Sequence, residues 1–204
     1  MLDLHNPSKW RSKLNDNRIS RAQLKQSKVN LHSKYLSSDI ADTLTRFKLG
    51  KTLFGNQLYK CELSDSPYCK TCLRELNEEI PESILHATYD CVFAATIIAN
   101  IKKTFYPQNN IILSAGDILL ATVENVHPNF TGKTGQHLSS LIWDFYLRYI
   151  LSCRIKGKTP TSINCIHEIK SQLNRILKIL PLSDVTKYIK NSNALLSILN
   201  SPNL

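Results

Sequence analysis

The chain has 204 residues, 42% of them hydrophobic, with 26 Lys and Arg against 16 Asp and Glu for a formal charge of +10. That length suits one or two domains with a buried core, and six Gly and eight Pro exclude collagen-like and Gly/Pro-rich disordered classes. No apolar stretch approaches the ~20 residues that cross a bilayer, and residues 1–20 carry Asp3, His5, Lys9 and Arg11 with no apolar signal region. The expectation is an intracellular chain, nuclear or cytoplasmic, with no membrane partner.

Residues 1–35 are polar and basic, with scattered Trp10, Leu14, Ile19, Leu24, Val29 and Leu31 in loose helical spacing. They read as a basic arm, disordered or helical only with a partner. A firmer helix starts near Leu36, with Ser38 as N-cap, Asp39 at the positive end of the dipole and Ile40, Leu44 and Phe47 on one face. Gly50 supplies its C-cap, and a short helix over Leu53–Tyr59 follows. Val92–Tyr106 is a strongly apolar helix closed by Pro107. Ser114–Thr122 is a short one capped by Ser114. Asn125–Gly135, with Pro128, Gly132 and Gly135, reads as a loop, and its Gly132-Lys133-Thr134 lacks the earlier Gly of a phosphate-binding P-loop. Gln136–Ile155 is a long helix broken by Gly157 and Pro160; Ser162–Leu180 and Ser183–Leu199 complete the chain. Apart from a short run at Asn110–Leu113, strand alternation is absent. The expected fold is all-α: a basic arm (1–35), a metal-binding helical domain with a Cys-Cys-His-Cys zinc knuckle (36–106) and a C-terminal helical bundle (107–204).

Charge is segregated along this order. Residues 1–60 hold twelve basic against four acidic residues (+8), residues 61–91 two against seven (−5), and residues 92–204 twelve against five (+7). Such a balance favours polyanionic partners, because each Lys or Arg on a phosphate releases condensed counterions.

Four of the six Cys fall in the acidic segment. Cys153 and Cys165 lie in apolar helical patterns and read as small buried hydrophobes, and Cys61 reads as an ordinary thiol. Cys69 and Cys72, by contrast, form Cys-x2-Cys, followed by His86 and Cys91 as His-x4-Cys. Two thiolates two residues apart can face one ion from a tight turn, and a His and a Cys about one turn apart can complete a tetrahedral shell. Zn2+ is the expected ion, structural rather than catalytic because four protein ligands leave no open position. Lys70 and Arg74 are placed to offset part of the thiolate charge.

The surrounding residues resemble the zinc-binding domain at the C-terminal end of non-LTR retrotransposon reverse transcriptases. They read Thr45-Arg46-Phe47-Lys48-Leu49-Gly50, Asn56-Gln57-Leu58-Tyr59, Asp65-Ser66-Pro67-Tyr68-Cys69-Lys70-Thr71-Cys72, Pro81-Glu82-Ser83-Ile84-Leu85-His86 and Cys91, within about residues 40–95. The chain departs from the family in Ser83, where Thr is usual, in a longer gap before Glu82, and in Gly50-Lys51 where the family has Gly-His. The resemblance implies Cys69, Cys72, His86 and Cys91 as metal ligands and RNA or DNA as partner, with a retroelement polymerase or another protein as a further one. No Asp-Asp dipeptide occurs, so polymerase activity is not implied and no enzyme is expected.

Among basic residues, Arg46, Lys48, Lys51 and Lys60 are tied to the metal unit and are the expected nucleic-acid contacts. Lys9 to Lys34 in the arm, interleaved with Trp10 and Tyr35, suit phosphates and base stacking. Trp143, Phe145, Tyr146 and Tyr149 read as core aromatics, Arg154, Lys156 and Lys158 as a solubilising helix end, and His137 and His167 as surface or capping residues. The competing reading is a helical protein-interaction module whose C-terminal helices leave a groove open. A phosphoryl-transfer enzyme would need carboxylates converging on a cleft, for which the spacing gives no reason.

Overall fold

A computed structural model describes residues 11–12, 19–31, 35–106, 113–122 and 132–179. Most of those residues are helical and no strand occurs among them, so the all-α expectation holds. The order is α1 (Arg21–Leu31), α2 (Ser38–Lys48), α3 (Gly55–Lys60), α4 (Lys70–Leu76), a π-type turn (His86–Asp90), α5 (Val92–Phe105), α6 (Ala115–Leu119), α7 (Gly132–Ile155) and α8 (Ser162–Ile179). The expected helix Ser183–Leu199 and the run before Leu113 lie outside the described residues. None of the described helices is long and apolar enough to cross a membrane.

Local chemistry accounts for most of the boundaries. Gly50 ends α2 at φ +66°, donating to Phe47 O while Lys51 N–H donates back to Arg46 O, the paired bonds of a Schellman turn. Gly157 repeats this at the end of α7: at φ +63° it donates to Arg154 O, and Lys158 N–H reaches Cys153 O. Ser114 caps α6, accepting from Asp117 N–H while the Asp117 carboxylate accepts from Ser114 N–H. Two expectations shift. Ser37, in extended conformation, is the flanking residue of α2, and Ser38 is already helical. Helix α7 begins at Gly132, inside the expected loop, since the first amides of a helix need no intrahelical acceptor and glycine costs least there.

Helix α7 is the hub, packing against α1, α2, α6, α8 and the π turn. Every residue from Leu138 to Leu147 is buried, as expected of a helix enclosed all round. Trp143 stacks on Tyr106 at 6.2 Å and meets the edge of Tyr146 at 5.9 Å. Helix α8 closes on α7 and α5 through Cys165, Ile169, Leu173 and Ile176.

One hydrophobic cluster runs from Ile19 to Ile176 across all three expected units. In particular, residues 19–31 are not a free arm. Ile19 and Leu24 are buried in this cluster, Asn30 donates to Ala121 O at 3.0 Å, and Gln23 donates to Asp117 at 3.2 Å. Sparse apolar residues suffice here because the helix docks with two of them and satisfies polar ones against α6. Arg21, Lys25 and Lys28 remain exposed, at i, i+4 and i+7 on one face.

Candidate metal centre

A second, smaller cluster holds Cys69, Cys72, Cys91 and Ala94, with Ile80 and Phe93 against it. Its walls come from three pieces of chain. Tyr68 pairs with Pro81 in an isolated antiparallel bridge, Cys69 N–H donates to Ile80 O at 2.8 Å, and Glu82 N–H donates to Pro67 O at 2.9 Å. Helix α4 then carries Cys72, and Asn77 ends it in the left-handed conformation at φ +55°, turning the chain back toward the bridge at Pro81.

The third piece is the π turn. In an α-helix, residues five apart lie about 140° from each other, on different faces. Here Cys91 N–H donates to His86 O at 2.8 Å, closing a five-residue turn. The wider turn brings His86 and Cys91 round to the same side, which His-x4-Cys needs to share one ion. Ser83 starts this segment, its hydroxyl accepting from His86 N–H at 3.0 Å; a serine in place of threonine keeps that oxygen. Tyr146 of α7 donates to Thr88 O at 2.8 Å, fastening the turn to the core.

These constraints bring the four expected ligands together. Cys69, Cys72, His86 and Cys91 are all buried, and their ligand atoms lie within 4.8 Å of one another, close enough to hold a metal ion. Cys72 Sγ lies 3.4 Å from His86 Nε2 and 3.5 Å from Cys91 Sγ. The electrostatics favour a cation. Hydrogen bonding to Cys91 and burial push the Cys69 thiol up to about 11, and burial pushes Cys72 to about 11. Cys91, accepting from Cys69, is lowered. Three sulfurs this close cannot all ionise unaided, and a bound dication would supply the compensating charge. The remaining cysteines behave as ordinary thiols: Cys153 and Cys165 are buried and Cys61 is exposed.

The expected nucleic-acid contacts separate. Arg46 is exposed and pairs with Asp42 at 2.8 Å within α2; Lys51 and Lys60 are exposed. Lys48 is a correction. Its side chain is 0% exposed, bonded to Asp144 Oδ1 at 2.8 Å and to Leu120 O at 3.4 Å, so no phosphate reaches it. Its place four residues after Leu44, on the apolar stripe, is the signal for this. Asp144, inside an apolar run of α7, is the matching signal.

Sequence reasoning also missed Arg154. It is no solubilising residue: its guanidinium grips both oxygens of buried Glu82, at 3.0 and 2.9 Å, and lies 4.7 Å from the centre of the Phe54 ring. Glu82 also accepts from Gly55 N–H at 2.6 Å. A Cβ on Gly55 would meet Glu82 at 2.9 Å, so this close approach requires glycine. Arg74 reaches across to Gly157 O at 3.1 Å and Thr159 Oγ1 at 2.6 Å, pairing with Glu75. Compared with models of known protein families, with curated proteins and with solved structures, the chain matches none.

Proposed function

We propose that the chain is a zinc-stabilised nucleic-acid-binding module, of the kind found in the C-terminal zinc-binding region of non-LTR retrotransposon reverse transcriptases, without polymerase activity of its own. The observation that carries this reading is the convergence of Cys69, Cys72, His86 and Cys91 in one buried cluster. Three thiolates and an imidazole suit Zn2+. A tetrahedral shell with Zn–S of ~2.3 Å and Zn–N of ~2.0 Å has S···S edges of ~3.8 Å and S···N edges of ~3.5 Å. The contacts of 3.5 Å and 3.4 Å support that fit. With four protein ligands the ion is structural, and three thiolates around a dication leave the centre at −1.

The nucleic-acid half rests on cations held outside the core. Lys51, Lys60 and Arg46 (which pairs with Asp42), and the Arg21, Lys25 and Lys28 stripe of α1, are all exposed on surfaces that phosphates can reach. Among the described residues, the apolar faces of α7 and α8 pack on each other, which weighs against the open groove that a docking-helix reading requires. Metal analysis of the purified chain is expected to give about one zinc per molecule, lost in Cys69→Ser/Cys72→Ser. Strand binding is expected to weaken with salt, with a shallower slope once Arg46 is neutralised. A metal-free chain of equal stability sinks the zinc reading, and salt-independent or absent strand binding sinks the nucleic-acid reading.

A further inference from the structure

Beside the metal centre lies an open cavity of about 210 Å³, walled on one side by the 63–74 stretch and on the other by the end of α7 and its Gly157 turn. Four cations line it, Lys70, Arg74, Arg154 and Lys158, against one carboxylate, Glu82. Arg154 and Glu82 neutralise each other through their paired bonds, and Arg74 is balanced by Glu75. Lys70 and Lys158 are exposed and, among the described residues, enter no salt bridge. The same cavity is lined by Leu63 and Ile155, large apolar side chains left 68% and 76% exposed. Two uncommitted ammoniums next to two uncovered apolar side chains make a site with an anionic half and an apolar half.

The geometry points to this groove as the place where the chain holds one nucleotide unit of a single strand, resting on the nucleic-acid reading above. The phosphate sits against Lys70 and Lys158, and the sugar and base edge lie against Leu63 and Ile155. The volume suits one such unit rather than a folded partner. A nucleotide is favoured over an acidic peptide because one unit carries both a phosphate for the two ammoniums and a flat apolar base for Leu63 and Ile155. The walls are fixed in advance. Cys69 and Cys72 anchor α4, which carries Lys70 and Arg74, and Arg74 bridges to Gly157 O and Thr159 across the gap. The metal centre thus sets the width of the groove without touching the ligand.

The test uses the full metal-loaded chain with fluorescein-labelled single-stranded RNA and DNA of about 12 nucleotides, within the range such sites cover. Lys70→Glu/Lys158→Glu changes two exposed residues; Arg175→Glu/Lys178→Glu puts the same charge change on exposed positions of α8. The groove variant is expected to bind at least about tenfold more weakly and to lose about one unit of salt slope or more, while the α8 variant shows a small shift in affinity. Equal weakening in both variants, or none in the groove variant, overturns the groove while the nucleic-acid reading stands. If the unmodified chain binds no strand, that reading falls, and amide shifts on titrating uridine 5′-monophosphate decide the groove. Shifts confined to its walls keep the nucleotide assignment, and their absence removes it. Tighter capture of a phosphoserine peptide than of either strand also overturns it.

Discussion

Glu82 has both carboxylate oxygens engaged, one by Gly55 N–H and both by Arg154, in a position only 7% exposed. Removing one partner of such a pair strands a buried charge, which costs more than the pair contributes. Arg154→Ala is therefore expected to destabilise the fold by about 2–4 kcal/mol, with lost stacking on Phe54 included. Glu82→Gln keeps an acceptor for Gly55 N–H and is expected to cost about half as much. Urea unfolding of the metal-loaded variants checks the order; equal midpoints for Arg154→Ala and the unmodified chain would show that the pair does not hold the segment. In the sequence, Glu82 is visible only as part of a family-like motif, and Arg154 as one of several basic residues at a helix end. Their relation spans 72 residues, and no local pattern encodes it.

At the scale of elements, α2 and α7 are joined by an ion pair with no solvent contact, Lys48 to Asp144, whose second oxygen has no hydrogen-bond partner among the described residues. Burial raises the Asp144 carboxyl above its usual range, and Lys48 offsets part of that. An acid whose native pKa is raised takes up protons on folding, so stability from this group falls as pH rises through its titration. Lys48→Met alone is expected to cost about 3–5 kcal/mol at neutral pH, and less in acid, where the lone carboxyl is protonated. Lys48→Met/Asp144→Leu is expected to return near the original stability or above it. A double variant as unstable as the single would mean the pair is a net stabiliser. What could be read beforehand was local: the glycine turns at Gly50 and Gly157, the Ser114 cap, the apolar stripes and the spacing of the four ligands. The docking of α1 depends on neighbours distant in sequence, which composition does not carry, and the burial of Lys48 is signalled locally only by its place on the apolar stripe.

The whole molecule has two centres of order of unequal size. The large cluster enlists residues from Ile19 to Ile176, whereas the one around the thiols buries only Cys69, Cys72, Cys91 and Ala94. So little apolar area cannot by itself fix the polar stretch 62–79, which carries five acidic residues. An ion bound there would supply what the small core lacks, and its loss would be a local event as long as the large core is intact. Chelation is therefore expected to speed hydrogen exchange at the amides pairing 67–69 with 80–82, while Leu138–Leu147 keep their protection. Acid acts in the same direction. Cys69 and Cys72, held near 11 without metal, are protonated at neutral pH and give up protons to bind the ion, so affinity falls as pH drops. The Tyr146 bond to Thr88 O adds a boundary: the π turn keeps partial protection because it is fastened to α7 as well as to the metal. Exchange measured by mass spectrometry before and after chelation separates the cases. Uniform loss across α7 would mean that the ion holds the entire fold, and no change at 67–82 would mean that the four side chains stay ordered without it.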